Sequence, residues 1–555
     1  MMKSKSQLMI VLTAILALFL IESVYAQRHS ETLNTQLDIS NGTIEGVEED
    51  GITVFRGIPF AEPPTGNRRW TAPVDKEPWD GVLETKVFGP ACMQLPVFGD
   101  MNFRSDGNSE DCLYLNVWTP AKTGNEKLPV LLYYYGGGFM AGDGSEPRYD
   151  GANMARDHKM VAITTNYRLG VFGFFAHPEL TQESSHNSSG NYGLLDQVKA
   201  LEWVVENIEK FGGDPDNITI AGESAGSISV SALMASPLSR DMIAGAIGES
   251  GSILGALPPV ELEVGEQNGE KFAGIIGAES LQELREIPSD SLLNLTGQQG
   301  LPRFAPTIDG YYFPKPPLEI FEAGEHADVP LFVGWNSQEM NFRAFLGQHE
   351  PTIENYKKVV ASEYESHASR ILELYPAGNL EEMLQSATDL AGDRFIAFST
   401  WKWADLHQKN STSPVYQYYY TQPRPKMRPK YANSTPGFAG GVQENDESAE
   451  DEMQQAQLPE PNGAVHSAEI EYLMGNLSSN RVYDWTETDY KVSAIFQNYA
   501  ANFIHSKSPN GYGVPFWPAA DQTGGSVMSI GSDTFIMEDP FGERYEFLDQ
   551  LMIEN

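Results

Sequence analysis

The sequence predicts an α/β protein built on a largely parallel, doubly wound sheet with helices on both faces. Several short runs are continuously apolar, which is typical of strands that are buried on both faces. Segments between these runs carry apolar residues at three- and four-residue steps, which indicates amphipathic helices. One β-branched run also leads through a glycine-flanked serine directly into a predicted helix. Strands that alternate with helices in this way favour a parallel sheet.

The predicted elements follow one another along most of the chain. Residues 51–64 mix β-rich residues with proline and glycine, which predicts hairpins followed by an extended loop. The apolar runs predict short strands at 129–135, 161–166, 218–221, 244–248, 329–333 and 415–421. The helix before the strand at 218–221 is marked by Leu194, Leu195, Val198, Leu201, Val205 and Ile208.

Composition bounds the class of protein. The chain has 555 residues, of which 41% are hydrophobic, so it is long and apolar enough for a large core. Lys and Arg number 37 against 76 Asp and Glu, which gives a formal net charge of −39. Such a surface repels phosphate backbones and anionic headgroups, so we expect no nucleic acid partner. The acidity itself is explained by solubility or by steering of cationic substrates, and composition does not separate these two interpretations.

The N-terminus has the pattern of an export signal. Lys3 and Lys5 precede an apolar stretch at 8–21, and Val24 and Ala26 supply small residues before an expected cleavage point. The stretch is shorter than the roughly 20 apolar residues of a membrane span. We therefore predict a signal peptide at 1–26, a single domain at 27–555, and a secreted or periplasmic protein with no stable membrane span.

Cys92 and Cys112 are the only two cysteines of the chain. In an exported protein, two cysteines this close favour a local disulfide, with two buried free thiols as the alternative. The ten histidines are scattered and form no cluster with the spacing of metal ligands. We therefore expect no metal site.

An acidic segment at about 443–460 differs from the rest of the chain in composition. Its charged residues are Glu444, Asp446, Glu447, Glu450, Asp451, Glu452 and Glu460. Few apolar residues accompany them, which predicts a solvated, flexible loop. A lid over the active site and a calcium site are the alternatives, although the spacing of a calcium-binding loop is missing.

The strongest chemical motif is the G-x-S-x-G of residues 222–226. A strand before it and a helix after it are the setting in which a sharp turn lifts a serine hydroxyl out of a sheet. The helix dipole favours negative charge that develops at this point. The motif predicts Ser224 as a nucleophile, although glycine is frequent enough in this chain for the pattern alone to be weak.

A second glycine motif supplies candidate donors for an oxyanion. Three glycines at 136–138 follow the predicted strand at 129–135, and a glycine run at a strand end lets backbone N–H groups approach a ligand closely. The predicted donors are the N–H groups of Gly137, Gly138 and Ala225.

A serine nucleophile needs a base, and the base needs an orienting carboxylate. We choose Glu339 as the carboxylate because it follows the strand at 329–333, where the sites of α/β proteins gather. Asp309 is the competitor, but the glycine after it is more typical of a turn. We choose His466 as the base because of its order in the chain and the glycine-containing loop before it. His505 is the weaker candidate, since its surroundings predict a helix.

At this point the chain resembles the type-B carboxylesterase family, which includes the cholinesterases. The resemblance extends from about residue 51 to about residue 547. It is carried by the blocks 55–64, 109–118, 212–226 and 463–477. The last block, with Glu469-Ile470-Glu471-Tyr472, is most similar to bacterial members of the para-nitrobenzyl esterase kind.

The resemblance implies an α/β-hydrolase fold with inserted loops over the active site. It also implies hydrolysis of a small-molecule or lipid-like carboxylic ester through an acyl-enzyme, with no cofactor. Ser224 is expected as nucleophile, Glu339 as triad acid and His466 as base, with the oxyanion donors already named. Ser250 is expected to hydrogen-bond the triad acid, and Glu223 is expected as a second supporting residue.

Two structural expectations also come from the resemblance. One is a disulfide between Cys92 and Cys112, and the other is a salt bridge between Arg69 and Glu110.

The sequence departs from the family pattern at three places. Met340 follows Glu339 where the family usually has glycine, and Tyr135 replaces the histidine that commonly precedes the three glycines. The loop between the cysteines contains Phe98 and Phe103 but no tryptophan. Since cholinesterases bind choline through a tryptophan in that loop, its absence argues against a cholinesterase. A lipase, a carbohydrate-ester esterase and a non-catalytic binding or adhesion protein of the same fold remain as alternatives.

Overall fold

A computed structural model describes residues 33–255, 257–432, 434–443, 462–520 and 526–554. The predicted signal peptide at 1–26 lies outside the described residues. So does the predicted acidic loop apart from Gln443, and its suggested roles stay predictions.

The described strands range from two to eleven residues. They are β1 Gln36–Ile39, β2 Gly42–Glu45, β3 Val47–Glu49, β4 Ile52–Pro59, β5 Val82–Glu84, β6 Ala91–Cys92, β7 Asn108–Ser109, β8 Tyr114–Thr119, β9 Leu128–Tyr134, β10 Val161–Thr165, β11 Gly213–Glu223, β12 Gly245–Glu249, β13 Val260–Glu261, β14 Thr307–Ile308, β15 Leu331–Asn336, β16 Val415–Tyr420, β17 Thr435–Pro436, β18 Val442–Gln443, β19 Ser526–Ile530 and β20 Phe535–Glu538.

The described α-helices lie between and around these strands. They span Ala152–His158, Gly170–Phe174, Pro178–Glu183, Tyr192–Asn207, Ala225–Ala235, Leu262–Ile276, Leu281–Glu286, Ser289–Thr296, Pro317–Glu322, Arg343–Leu346, Ile353–Tyr364, Ala368–Leu374, Leu380–Gly392, Phe398–Asn410, Ile470–Leu473, Glu487–Ser506 and Gly542–Glu554. Within the described ranges, none of them combines the length and apolar character that crossing a membrane requires.

One mixed sheet forms the centre of the molecule, in the order β20-β19-β16-β15-β12-β11-β9-β10-β8-β4-β3. The consecutive strands from β19 to β10 in this order are all parallel, and antiparallel pairs close both edges. Every residue of β10, β12 and β15 is buried, as the continuous apolar runs predict. Since parallel strands point their carboxyl ends at one edge, groups that follow different strands meet there.

The predicted strands and helix are present, with shifted ends. The strand predicted at 329–333 begins at Leu331 because Pro330 has no N–H to donate to the ladder, and it continues to Asn336. The strand that leads to the serine begins earlier than expected, at Gly213, with an irregularity in its pairing before Ile218. The predicted hairpin in 51–64 starts from a turn at Asp50 and Gly51, which both have positive φ, between β3 and β4.

A disulfide and a buried ion pair link the loops that lie beside the sheet. Cys92 and Cys112 form the expected disulfide, with 2.08 Å between their sulfur atoms. Arg69 donates to both carboxylate oxygens of Glu110 at 2.6 Å, so the ion pair expected from the family is also present. The prediction of one catalytic domain over 27–555 stays a prediction.

Candidate active site

The turn around Ser224 joins β11 to the helix Ala225–Ala235. Ser224 has φ 57° and ψ −120°, a strained backbone conformation for a residue with a side chain. Its N–H donates to the carbonyl of Glu249 on the neighbouring strand at 2.9 Å. A Cβ added at Gly226 would lie 2.0 Å from the carbonyl oxygen of Tyr134, so only glycine allows the helix to start this close to the sheet. The turn therefore presents the Ser224 hydroxyl at the carboxyl edge of the sheet.

The structure brings the three predicted triad residues together, although they are far apart in sequence. His466 Nε2 lies 3.0 Å from Ser224 Oγ, and His466 Nδ1 lies 2.7 Å from Glu339 Oε2. Glu339 follows β15, and His466 lies in the loop before the helix Ile470–Leu473. An imidazole between a hydroxyl and a carboxylate can take a proton from the first while the second orients it.

Glu339 is held on its other oxygen by two donors. Its Oε1 accepts from Ser250 Oγ at 2.6 Å and from the backbone N–H of Asn336 at 2.7 Å. Ser250 is thus placed where the resemblance to the family predicts it. Glu339 is 2% exposed, so these hydrogen bonds take the place of water at its carboxylate.

The glycine run lies directly against the turn that carries the nucleophile. A Cβ added at Gly136 would be 3.1 Å from Ser224 Cβ, and Gly137 and Gly138 line the same cavity as Ser224. The N–H groups of Gly137 and Gly138 donate to no group in the part of the chain that the structure describes. Ala225 is the first residue of its helix, so its N–H has no partner within that helix. All three predicted donors are therefore available at the serine.

Buried carboxylates surround the imidazole. Glu223 Oε1 lies 3.2 Å from His466 Nε2, a close charge contact without the geometry of a hydrogen bond. Burial alone would lower the pKa of His466, but Glu223 and Glu339 raise it to about 9. Burial in turn raises the pKa values of Glu223 and of Glu469. The protonation of the imidazole therefore depends on carboxylates besides the one that orients it.

A cavity of about 660 Å³ opens onto Ser224. Its walls are mostly apolar, and several of the lining residues come from loops rather than from the sheet. The apolar side chains of the lining include Met93, Leu95, Val97, Phe98, Met101, Met140, Leu257, Leu293, Leu301, Phe304, Met340, Phe395 and Phe438. A cavity of this size and character suits a bulky apolar group.

Comparison with known proteins assigns the family. The model of the carboxylesterase family matches residues 33–548. The chain belongs to the carboxylesterase family. It is a carboxylic ester hydrolase of the α/β-hydrolase fold.

Relatives of this carboxylesterase include bacterial and mammalian enzymes. The para-nitrobenzyl esterase of Bacillus subtilis is 31% identical over 530 residues, which cover 91% of this chain and 97% of the relative. The liver carboxylesterase of Sus scrofa is 32% identical over 557 residues, with 92% and 90% covered. A solved thermophilic para-nitrobenzyl esterase superposes with a TM-score of 0.75 at 28% identity, covering 92% of this chain and 99% of the other.

The residues that depart from the family pattern can be located in the structure of this carboxylesterase. Met340 extends into the cavity wall beside the site. Tyr135 stacks on Tyr167 with ring centroids 4.4 Å apart and donates to its carbonyl oxygen at 3.1 Å. Phe98 of the loop between the cysteines lines the cavity, whereas Phe103 is not among the lining residues.

The two competing candidates lie outside the site. Asp309 Oδ1 accepts from the backbone N–H groups of the residues at 311–313 and so forms the turn that its sequence predicts. His505 lies in the helix Glu487–Ser506, where its Nε2 donates to the carbonyl of His158.

Glu469 and Asn336, on the carboxylate side of the site, were not predicted as site residues from sequence. Glu469 Oε1 lies 3.2 Å from Ser250 Oγ, and the side-chain amide of Asn336 donates to the other oxygen of Glu469. Glu469 is fully buried, and its two oxygens contact Ser250 and Asn336, which in turn hold Glu339. Its position three residues after His466 was a usable signal, because both belong to one short loop and helix.

Proposed function

We propose that this carboxylesterase acts through an acyl-enzyme formed on Ser224. In the proposed first step, His466 Nε2 removes the hydroxyl proton as Ser224 Oγ attacks the ester carbonyl. The N–H groups of Gly137, Gly138 and Ala225 bind the oxyanion of the tetrahedral intermediate. His466 then gives its proton to the departing alcohol, and water releases the acid by the same sequence of steps.

The observation that carries this proposal is the continuous chain of contacts from Ser224 through His466 to Glu339. Its two distances, 3.0 and 2.7 Å, lie in the range of hydrogen bonds that transfer or orient a proton. Ser250 and the N–H of Asn336 hold the far end of this chain, so the imidazole is oriented before substrate arrives. A non-catalytic binding protein has no need of this arrangement.

Replacement of the nucleophile tests the proposal. We expect Ser224→Ala to lower kcat on the order of 10⁶-fold, as removal of a triad serine does. Thermal unfolding of the variant should remain close to that of the unaltered enzyme, which separates loss of chemistry from loss of fold. Hydrolysis by folded Ser224→Ala at a comparable rate would refute the assignment.

We propose that the substrates are esters with a bulky apolar group. The apolar cavity at Ser224 supports this, since its side chains gain contact area from such a group. kcat/KM measured on para-nitrophenyl esters of increasing acyl length should rise with length before it falls. A preference for acetyl over every longer acyl group would contradict the proposal, and activity confined to emulsified long-chain esters would indicate a lipase.

We propose further that the enzyme is exported, secreted or periplasmic, after cleavage following Ala26. The basic and apolar pattern of residues 1–26 supports this, as does the Cys92–Cys112 disulfide, because disulfides persist in oxidising compartments. Intact-mass analysis of the protein from its native host should give a chain that begins at Gln27. A cytosolic protein with a retained N-terminus would contradict it.

A further inference from the structure

The residue after the proposed base has an unusual backbone and an unusual set of partners. Ser467 has φ 63°, in the left-handed region that favours glycine, and it is 4% exposed. Its hydroxyl donates to the carbonyl oxygen of Phe438 and accepts from Nη1 of Arg148 at 3.2 Å. A strained conformation of this kind persists only where its surroundings hold it in place.

Arg148 is well placed to hold Ser467 in this conformation. The guanidinium is buried and forms a forked pair with Glu146, with 2.9 Å from Nε and 3.2 Å from Nη2 to the two carboxylate oxygens. Asn476 donates to the carbonyl of Arg148 at 2.9 Å and so fixes the backbone of the same turn. A forked pair leaves the guanidinium little freedom, so Nη1 offers Ser467 a rigid donor.

A second buried arginine reaches the same residue in a different way. Arg424 Nη2 donates to the backbone carbonyl of Ser467 at 3.0 Å and is paired with Glu471 at 3.2 Å. Any residue at position 467 could accept that bond through its carbonyl. The contact with Arg148 depends instead on the serine hydroxyl, which makes it specific to this side chain.

We propose that Arg148 is a positioning residue for His466 and acts through the hydroxyl of Ser467. The inference rests on the proposed role of His466 as the base. Arg148 and Ser467 both line the cavity that opens onto Ser224, whose hydroxyl is hydrogen-bonded to His466. By holding the residue next to His466, Arg148 keeps the imidazole at hydrogen-bond distance from Ser224 Oγ while substrate enters and leaves.

Two variants at position 467 test the link without disturbing a buried charge. Ser467→Gly removes the hydroxyl and adopts the left-handed backbone without strain, and Ser467→Ala removes the hydroxyl but keeps a Cβ. We expect both to lower kcat by about tenfold or more with KM unchanged, because small misplacement of a catalytic group is costly. The rate at which an organophosphonate ester labels Ser224 should fall in parallel.

A variant on the other side of the link completes the test. Glu146→Gln combined with Arg148→Met removes the donor without leaving an unpaired buried carboxylate. Because this double variant also removes a positive charge that acts on Glu223, we expect a loss in kcat at least as large as for Ser467→Gly. Adding Ser467→Gly to it should cause no further loss, since both break the same contact. If the arginine variant does not fold, the two variants at position 467 still decide the question.

The control is a buried ion pair of the same kind that does not line the cavity. Arg69→Met with Glu110→Gln should lower thermal stability and leave kcat unchanged. The positioning role of Arg148 would be overturned if kcat were unaltered in Ser467→Gly, or if the fold losses in kcat multiplied in the combined variant. Either result would leave the proposed function in place. Failure of the unaltered enzyme to be labelled at Ser224 would remove the proposed function and this inference together.

Discussion

At the scale of single residues, the chemistry depends on two carboxylates that contact the two ring nitrogens of His466. Glu339 contacts Nδ1 of His466, while Glu223 lies beside Nε2 on the side that faces Ser224. Both raise the pKa of His466, to about 9, against the effect of burial. Since the base must be neutral to accept a proton, activity should rise with pH through the alkaline range.

Removal of the carboxylate beside Nε2 should shift this dependence. The charge of Glu223 raises the pKa of His466, so Glu223→Gln should lower that pKa. The acid limb of kcat/KM should then move to lower pH by about one unit or more. The matched control is Glu381→Gln, which removes one negative charge from an exposed helix position. An acid limb that stays in place in Glu223→Gln would contradict the stated origin of the shift.

The candidate triad could be predicted from sequence because order along the chain and strand ends restrict each role. Glu339 follows a buried strand, and His466 follows it in the order that this fold requires. The nearness of Glu469 to His466 in sequence was a usable signal for its place near the site, but its contact with Ser250 joins residues 219 positions apart and could not be predicted. The contact between Arg148 and Ser467 joins residues 319 positions apart and depends on tertiary packing alone.

At the scale of elements, the loop between the two cysteines forms a wall of the cavity. Leu95, Phe98 and Met101 lie in this loop and line the space above Ser224. The disulfide closes it across a sequence separation of 20 residues. The wall therefore depends on a covalent constraint as well as on packing.

Removal of the disulfide should affect both stability and binding. Cys92→Ser with Cys112→Ser should lower the free energy of unfolding by about 3 kcal/mol, from the entropy of the opened loop. KM for apolar esters should rise, because the lining side chains lose their fixed positions, while kcat changes less. Denaturant unfolding and steady-state kinetics measure the two effects. A reductant should reproduce both effects in the unaltered enzyme and should not change the variant that lacks the cysteines. Equal free energies of unfolding for the variant and the unaltered enzyme would contradict the stabilising role of the disulfide.

A buried histidine pair joins the helix Phe398–Asn410 to the loop before β15. His326 Nε2 lies 2.8 Å from His407 Nδ1, and His407 Nε2 donates to the carbonyl of Val329 at 2.9 Å. Burial lowers the pKa of His326 to about 3 and that of His407 to about 4. The unfolded chain therefore binds protons at a higher pH than the native one does.

This pair should make the enzyme sensitive to acid. Its contribution to stability is complete above the ordinary histidine pKa of about 6.5 and is lost as pH falls toward the folded values. Between pH 7 and pH 5 the loss should be about 2 kcal/mol for each histidine. Denaturant unfolding over this range should show a shallower pH dependence in His326→Gln with His407→Gln. Identical slopes in the variant and the unaltered enzyme would show that the pair does not titrate in this way.

Elements were predictable where their apolar residues form a continuous run or recur at a regular spacing. The buried strands β9, β10, β12, β15 and β16 follow from continuous apolar runs, and the helix Tyr192–Asn207 follows from its three- and four-residue steps. Much of the cavity wall comes from irregular segments such as 95–101 and 298–304, which have no period from which a position could be derived. For that reason the sequence indicates ester hydrolysis more clearly than it indicates the substrate.

At the scale of the whole molecule, the charge is the dominant feature. With a formal net charge of −39, the excess carboxylates repel one another and destabilise the folded state, and added salt screens that repulsion. Raising the ionic strength from about 0.01 M to about 0.15 M shortens the Debye length from about 30 Å to about 8 Å. We therefore expect the melting temperature to rise over this interval, measured by calorimetry in sodium chloride. A melting temperature that stays constant or falls would mean that local ion pairs outweigh the net charge.

The central claim is that the whole architecture presents one activated serine. Mass spectrometry of the folded protein after incubation with an organophosphonate ester tests it most directly, since such probes react with activated serines and not with ordinary ones. We predict a single adduct, on the peptide that contains Ser224, and none in Ser224→Ala. An adduct on another residue, or no adduct on folded protein, would contradict the account.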